Sequence, residues 1–210
     1  MKTRFFVALA AFVTVFTACQ KDPDDNNGNG PDNKDYQPTT AGSTWQYRSS
    51  ATGNYTETAT GLDSTINGQK YFIFRSEENG SRYVNKANNV YTTFGYVQQV
   101  DQTINIVYLK DAAVGTTWTN SANYMGFPVD LTYTVVSRDG EKVVNGTTYK
   151  DVIELSFTVS TNNPLTGLLT VATGKQFHAK GIGSITSTFN FQMQNNTASD
   201  STYLVSANIK

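Results

Sequence analysis

Apolar positions fall into two patterns along the chain. Residues 5–16 form one unbroken run in which only Thr14 is polar, preceded by Lys2 and Arg4. From Thr44 onward, apolar and polar residues alternate in short runs broken by Gly, Asn and Asp, the period of half-buried β-strands. Tyr71-Phe72-Ile73-Phe74, Ile104-Asn105-Ile106-Val107-Tyr108-Leu109 and residues 131–137, 152–159 and 202–209 are the clearest of these. Asn67-Gly68, Asp139-Gly140 and Asn145-Gly146 are read as tight turns, because Asn, Asp and Gly tolerate the positive φ of two-residue hairpins. No stretch of helical length keeps a 3.6-residue period. The pattern predicts a dozen or so antiparallel strands and little helix.

The alternating part echoes itself. Gly42-Ser43-Thr44-Trp45 returns as Gly115-Thr116-Thr117-Trp118, and Ile66-Asn67-Gly68-Gln69-Lys70-Tyr71 as Val144-Asn145-Gly146-Thr147-Thr148-Tyr149. More weakly, Arg82-Tyr83-Val84-Asn85-Lys86 returns as Gln176-Phe177-His178-Ala179-Lys180. Three marks in one order point to tandem units over about 42–94 and 115–190, the second lengthened by residues 160–174. Units this large favour an all-β, antiparallel body, one curved sheet, half-barrel or sandwich-like, over a solenoid of short repeats. Each tryptophan opens a unit. It reads as an anchor burying its ring at a sheet end, with a carbohydrate-stacking platform as the alternative.

The apolar run at the start has a different use. Its twelve residues span about 18 Å as a helix, short of a hydrocarbon core of roughly 30 Å. A cationic start, a short apolar run and small residues at its end mark a secretory signal peptide. The run closes Phe16-Thr17-Ala18-Cys19, which resembles the lipobox of bacterial lipoproteins. That resemblance implies cleavage before Cys19, a diacylglyceryl thioether on its sulfur and a palmitate-type acyl group on its new amino terminus. Two or more chains anchor stably where one binds marginally. Gln20-Lys21-Asp22-Pro23-Asp24-Asp25 resembles the acidic export signal of Bacteroidota surface lipoproteins, which implies an outer-membrane address facing outward; a periplasm-facing anchor is the alternative. The organisation expected is a signal peptide at 1–18, a lipidated, disordered tether at 19–38 with a reach of about 25 Å, and an all-β body at 39–210. The Gly-Trp openings, the Asn-Gly-x-x-Tyr hairpins and Ala179-Lys180-Gly181-Ile182-Gly183 resemble a group of uncharacterised Bacteroidota lipoproteins with all-β bodies. This implies address and fold class but no activity.

Composition narrows the chemistry. Thr, Asn and Ser fill 65 of 210 positions and only 16% of residues are charged, against about 25% in an average soluble domain. The single cysteine and single histidine exclude a disulfide scaffold and a Cys/His zinc site. Residues 1–18 carry a charge of +2, residues 19–38 carry −3, and residues 39–210 balance to zero. With no basic face, nucleic acid is not an expected partner. No cofactor or metal is expected either. The candidate partners are the membrane, through the anchor, and a glycan, lipid or protein ligand.

Any His-dependent mechanism must use His178, which alternation places with Lys180 on a polar strand face. No Gly-x-Ser-x-Gly elbow accompanies it. Glycoside hydrolysis needs only two carboxylates, and Glu57, Asp63, Asp130, Asp151 and Glu154 are available, with nothing to select a pair. Asp63-Ser64-Thr65 and Asp200-Ser201-Thr202 resemble Bacteroidota O-glycosylation acceptors, making Ser64 and Ser201 weak candidates. The reading favoured is a non-enzymatic binding or envelope-structural lipoprotein with Tyr and Phe lining a groove. A surface glycan or peptide hydrolase using a carboxylate pair is the alternative, and a subunit docking through an exposed strand edge is a third.

Overall fold

The computed structural model describes residues 35–78, 80–97, 102–124, 127–163, 167–193 and 196–210. Twelve strands follow one another: β1 (Thr44–Ser49), β2 (Gly53–Ile66), β3 (Gln69–Ser76), β4 (Gly80–Ala87), β5 (Val90–Val97), β6 (Gln102–Lys110), β7 (Thr117–Tyr124), β8 (Phe127–Val144), β9 (Thr147–Asn163), β10 (Gly167–Ala179), β11 (Gly183–Met193) and β12 (Asn196–Asn208). No helix occurs among the described residues.

All twelve strands belong to one antiparallel sheet, in the order β6-β5-β4-β3-β2-β1-β12-β11-β10-β9-β8-β7. Chain neighbours pair as hairpins, and β1 pairs with β12 from Thr44↔Asn208 to Ser49↔Thr202. Only β6 and β7 remain as edges, and they meet along a seam. The result is a nearly closed barrel. Among the described residues no backbone ladder crosses that seam; side chains cross it instead. The Asn120 side chain accepts from Val107 N–H at 2.8 Å and donates to Val107 O at 3.1 Å, and Trp118 Nε1–H donates to the same oxygen at 2.7 Å.

Alternation fills the barrel. Trp45 and Tyr47 on β1, Tyr55, Glu57 and Ala59 on β2, and Leu131, Tyr133 and Val135 on β8 are all buried. The residues between them form an outer wall rich in hydroxyls, tied across strands by Thr117–Thr134, Thr119–Thr132 and Ser121–Asp130 hydrogen bonds. That wall accounts for a chain so rich in Thr and Ser yet poor in charge. The interior is largely aromatic: Trp118 stacks on Tyr133 at 5.4 Å, Tyr133 meets Phe157 at 5.7 Å, and Phe157 stacks on Phe189 at 6.4 Å. Gly174 makes the last contact possible. It lies between Phe157 and Phe189 in register, and a Cβ there would meet the Phe157 ring at 2.3 Å and Thr188 O at 2.1 Å. The tyrosines and phenylalanines expected to line a groove are thus mostly spent on the core.

The sequence echoes fall at matching places in the two six-strand halves. Gly42 N–H donates to Ala59 O and Ala59 N–H to Ser43 O; Gly115 N–H donates to Val135 O and Val135 N–H to Thr116 O. Both glycines have positive φ, as do Asn67-Gly68 and Asn145-Gly146 in the β2–β3 and β8–β9 turns. Residues on either side of 164–166 extend the β9–β10 hairpin, pairing as far as Gly167↔Asn163.

Two expectations are corrected here. Asp139-Gly140 is no hairpin turn: it lies inside β8, at a shift of register opposite β9, with Asp139 at φ 52°. Residues 36 and 37, expected in the tether, belong to the packed body. Tyr36 and Gln37 are buried, with Tyr36 N–H donating to the Tyr91 hydroxyl and Gly181 N–H to Asp35 O. An aromatic ring next to a Gln able to bond inward outweighs the polar composition around them. This segment plugs the barrel end that also holds Lys210, whose N–H donates to Ser43 Oγ. We call it the terminal end. The β1–β2 and β3–β4 turns lie at the opposite, distal end.

Candidate functional site

Behind the plug, β2, β4, β6 and β10 turn polar side chains inward. Arg82 on β4 reaches past Phe74 on β3 to Glu57 on β2, donating from Nε to Oε1 at 2.8 Å and from Nη2 to Oε2 at 2.6 Å. This two-bond fork is the strongest geometry available to such a pair. The guanidinium carbon lies 4.9 Å from the centre of the Phe74 ring. Nη2 and the Tyr108 hydroxyl also donate to Gln37 Oε1, at 3.4 and 3.5 Å. The plug is therefore bonded into the barrel's polar centre. His178 is buried beside it, its ring 6.0 Å from that of Tyr108 and its Nε2 3.5 Å from Gln176 Oε1. His178 Nδ1 and Gln176 Nε2 are buried without a hydrogen-bond partner among the described residues.

Burial governs how these groups ionise. It opposes charge on Arg82, but the Glu57 carboxylate outweighs it and holds the guanidinium protonated beyond its usual range. Burial lowers His178 to about 3, helped by the positive charge of Arg82. Tyr108 is pushed up to about 12 by burial, against the pull of Arg82. One permanent ion pair beside a neutral imidazole is the result. The two charges neutralise each other, and what the cluster does chemically is fix the plug.

His178 departs from the sequence reading, which set it on a polar face with Lys180. The extra residue at the shift of register is Ile185 on β11, so β10 keeps its alternation. Gln176 and His178 share the inward face opposite Leu155 and Ile153, while Phe177, with the Lys142 ammonium 4.0 Å from the centre of its ring, and Ala179 are buried on the other. The five candidate carboxylates are not brought together. Glu57 holds Arg82, Asp63 holds Lys70, Asp130 accepts from Ser121, and Glu154 holds Lys175. Asp151 lies at a positive φ of 51°, its carbonyl accepting from Lys180 N–H. No group of three or more His, Cys, Asp or Glu able to hold a metal occurs among the described residues.

Both tryptophans are buried with their N–H groups engaged, Trp45 on Ile182 O at 3.3 Å and Trp118 on Val107 O; they are anchors rather than platforms. Ser64 lies half-buried on β2 opposite Tyr71, and Ser201 is exposed on β12. Its neighbour Asp200 is buried and accepts from Ser49, Ser50 and Ala51 N–H, fixing the β1–β2 turn. Cys19 lies outside the described residues. The buried Arg82–Glu57 pair was not singled out from sequence. Its signal was there: each charge stands at an apolar register position, Glu57 between Tyr55 and Ala59, and Arg82 two residues before Val84.

Two hollows remain. One of about 450 Å³ lies toward the distal end over β10, β11 and β12, lined by Thr170, Thr173, Asn190, Gln192, Thr197 and Ser199, with Phe191 among its apolar residues. None of its lining residues is charged. A second, of about 280 Å³, involves Gln46, Asn54, Tyr55 and Glu78.

No protein-family model matches the chain, and no curated protein matches it. Among solved structures it is similar in fold to a candidate lipoprotein from Parabacteroides distasonis, with a TM-score of 0.51 and 13% identity over 82% of this chain and 98% of that one.

Proposed function

We propose that this chain is an envelope lipoprotein, held to the outer membrane by acyl groups on Cys19 and exposed at the cell surface, whose barrel serves as a binding or scaffolding module. The observation that carries the reading is Phe16-Thr17-Ala18-Cys19 at the end of a short apolar run, followed by the acidic 20–25 stretch and a polar linker. The fold it shares with a protein described as a candidate lipoprotein is in keeping with it. The interior favours binding or scaffolding over catalysis: its ion pair is closed on itself and the acids that a hydrolase would pair lie apart. On the outer wall over β10–β12, hydroxyl and carboxamide groups line the hollow without charge. That lining suits a neutral, hydroxyl-rich ligand such as a glycan.

Protease added to intact cells tests the address. The expected result is loss of the body from intact cells. Full protection until the outer membrane is opened would contradict surface exposure and leave the anchor facing the periplasm.

A further inference from the structure

The two ends of the barrel differ. At the terminal end the β2–β3 and β8–β9 hairpins run past the rim as two arms. Among the described residues, four of the six exposed large hydrophobic side chains belong to this end: Leu62 on one arm, Val136 and Val143 on the other, and Val114 in the link between β6 and β7, with Leu62, Val114 and Val143 each more than half exposed. Apolar residues at the tips of rigid hairpins are costly to leave in water and gain from insertion at a headgroup boundary.

Charge follows the same axis. The arms, the strand ends and turns between them, Asp35 and Lys210 hold eight basic and six acidic side chains. Five of those acids each hold a cation, Asp35 with Lys86 and Glu141 with Lys150 among them. Lys110, Lys142 and Lys210 stand at this end without a carboxylate partner among the described residues. At the distal end the described β3–β4 turn carries Glu77 and Glu78, the latter accepting from Ser76, with Arg48 and Arg75 at the neighbouring strand ends, so basic side chains do not outnumber acidic ones there. Basic groups near a surface favour anionic headgroups, and bare carboxylates disfavour them.

The chain outside the described body leaves from this same end, at Asp35, whose side chain is paired with Lys86 and whose carbonyl is bonded to Gly181 N–H. Residues 20–34 separate that point from Cys19 along the chain.

We infer that the terminal end is a membrane-docking face: the two arms rest in the headgroup layer of an anionic lipid surface, with the distal hollow pointing away from it. The inference rests on the lipid anchor proposed above and adds an orientation to it. Docked this way, the anchored barrel stands upright on its plugged end instead of swinging freely on its tether.

The test uses the lipidated protein reconstituted into vesicles of phosphatidylcholine with and without phosphatidylglycerol. A thioether leaves Cys19 unreactive, so single cysteines at Leu62→Cys, Val143→Cys, Leu169→Cys and Val205→Cys can each carry an environment-sensitive fluorophore. All four positions are exposed, so the labels leave the core intact. A lipid-borne quencher is expected to quench labels at 62 and 143 several-fold more than those at 169 and 205, with the difference growing with phosphatidylglycerol and shrinking in Lys142→Glu. Equal quenching at all four positions, or greater quenching at 169, in protein whose mass shows an acylated Cys19 would overturn the orientation alone. An unmodified Cys19 would overturn the anchor and the orientation with it.

Discussion

The side-chain amide of Asn120 holds Val107 as a neighbouring strand would, accepting from its N–H and donating to its carbonyl. Asn120 lies two residues after Trp118, the place that Tyr47 takes after Trp45 in the other half. There, Tyr47 pairs with Leu204 in a backbone ladder. The two junctions between the halves are thus closed by different means, one by backbone and one by side chains.

At the β6–β7 seam the Asn120 amide is the side chain that meets both backbone groups of Val107, while the Trp118 N–H shares the carbonyl. Asn120→Ala leaves Val107 N–H without its partner and is expected to cost about 1–3 kcal/mol. Urea unfolding would measure the loss, and hydrogen exchange would localise it as faster exchange at Val107, with the β1–β12 amides unchanged. Unchanged exchange at Val107 would show that the seam is held by something else.

The Arg82–Glu57 pair is expected to behave as one unit. Arg82→Met strands a buried carboxylate and should lower stability by about 3–5 kcal/mol, whereas Arg82→Met with Glu57→Leu removes both charges and should recover most of that loss. A double-mutant cycle by urea unfolding reads the coupling. Additive losses would contradict the shared burial of the two groups.

His178 gives the fold a pH dependence of known sign. Its folded-state value of about 3 lies below the ordinary histidine value of 6.5, so between those limits the unfolded chain binds more protons. Stability contributed by the neutral ring is therefore complete above about pH 6.5 and falls as pH drops toward 3, at up to about 1.4 kcal/mol per unit. Between pH 7 and pH 5, where few carboxylates titrate, wild type is expected to lose about 2 kcal/mol more than His178→Gln. Parallel pH profiles for the two would sink the argument.

The plug belongs to the fold. Tyr36 is fully buried, and Tyr36→Ala should cost about 3–5 kcal/mol, the usual range for emptying a buried aromatic site. A chain starting at residue 39 should melt well below one starting at 35. Equal melting temperatures would return residues 35–38 to the tether.

Strand class, the Asn-Gly turns and the internal echo were legible because alternation and positive-φ turn chemistry act locally. What escaped the sequence depends on partners. Asp139-Gly140 has the composition of a turn, and only the length of β9 opposite makes it an irregularity within β8. His178 alternates with Phe177 as the sequence implies, but the face it shares with Gln176 is the interior, opposite Leu155 and Ile153, and the polar residues at 176, 178 and 180 disguise it as an outer face. Closure was hidden because the seam joins residues through Asn120 rather than through a strand pattern. Tyr36 and Gln37 were read with the polar residues before them, whereas their environment comes from β5 and β4, far along the chain. The inward charges of Glu57 and Arg82 could have been found by asking which charged residues occupy apolar register positions.

The anchor is the centre of this account, and mass spectrometry of the amino-terminal peptide of the protein from its native envelope tests it directly. The account predicts a chain beginning at Cys19, heavier by a diacylglyceryl group and an amide-linked acyl chain, with fatty-acid labelling abolished in Cys19→Ala. A free thiol at Cys19, or undiminished labelling in Cys19→Ala, would contradict it.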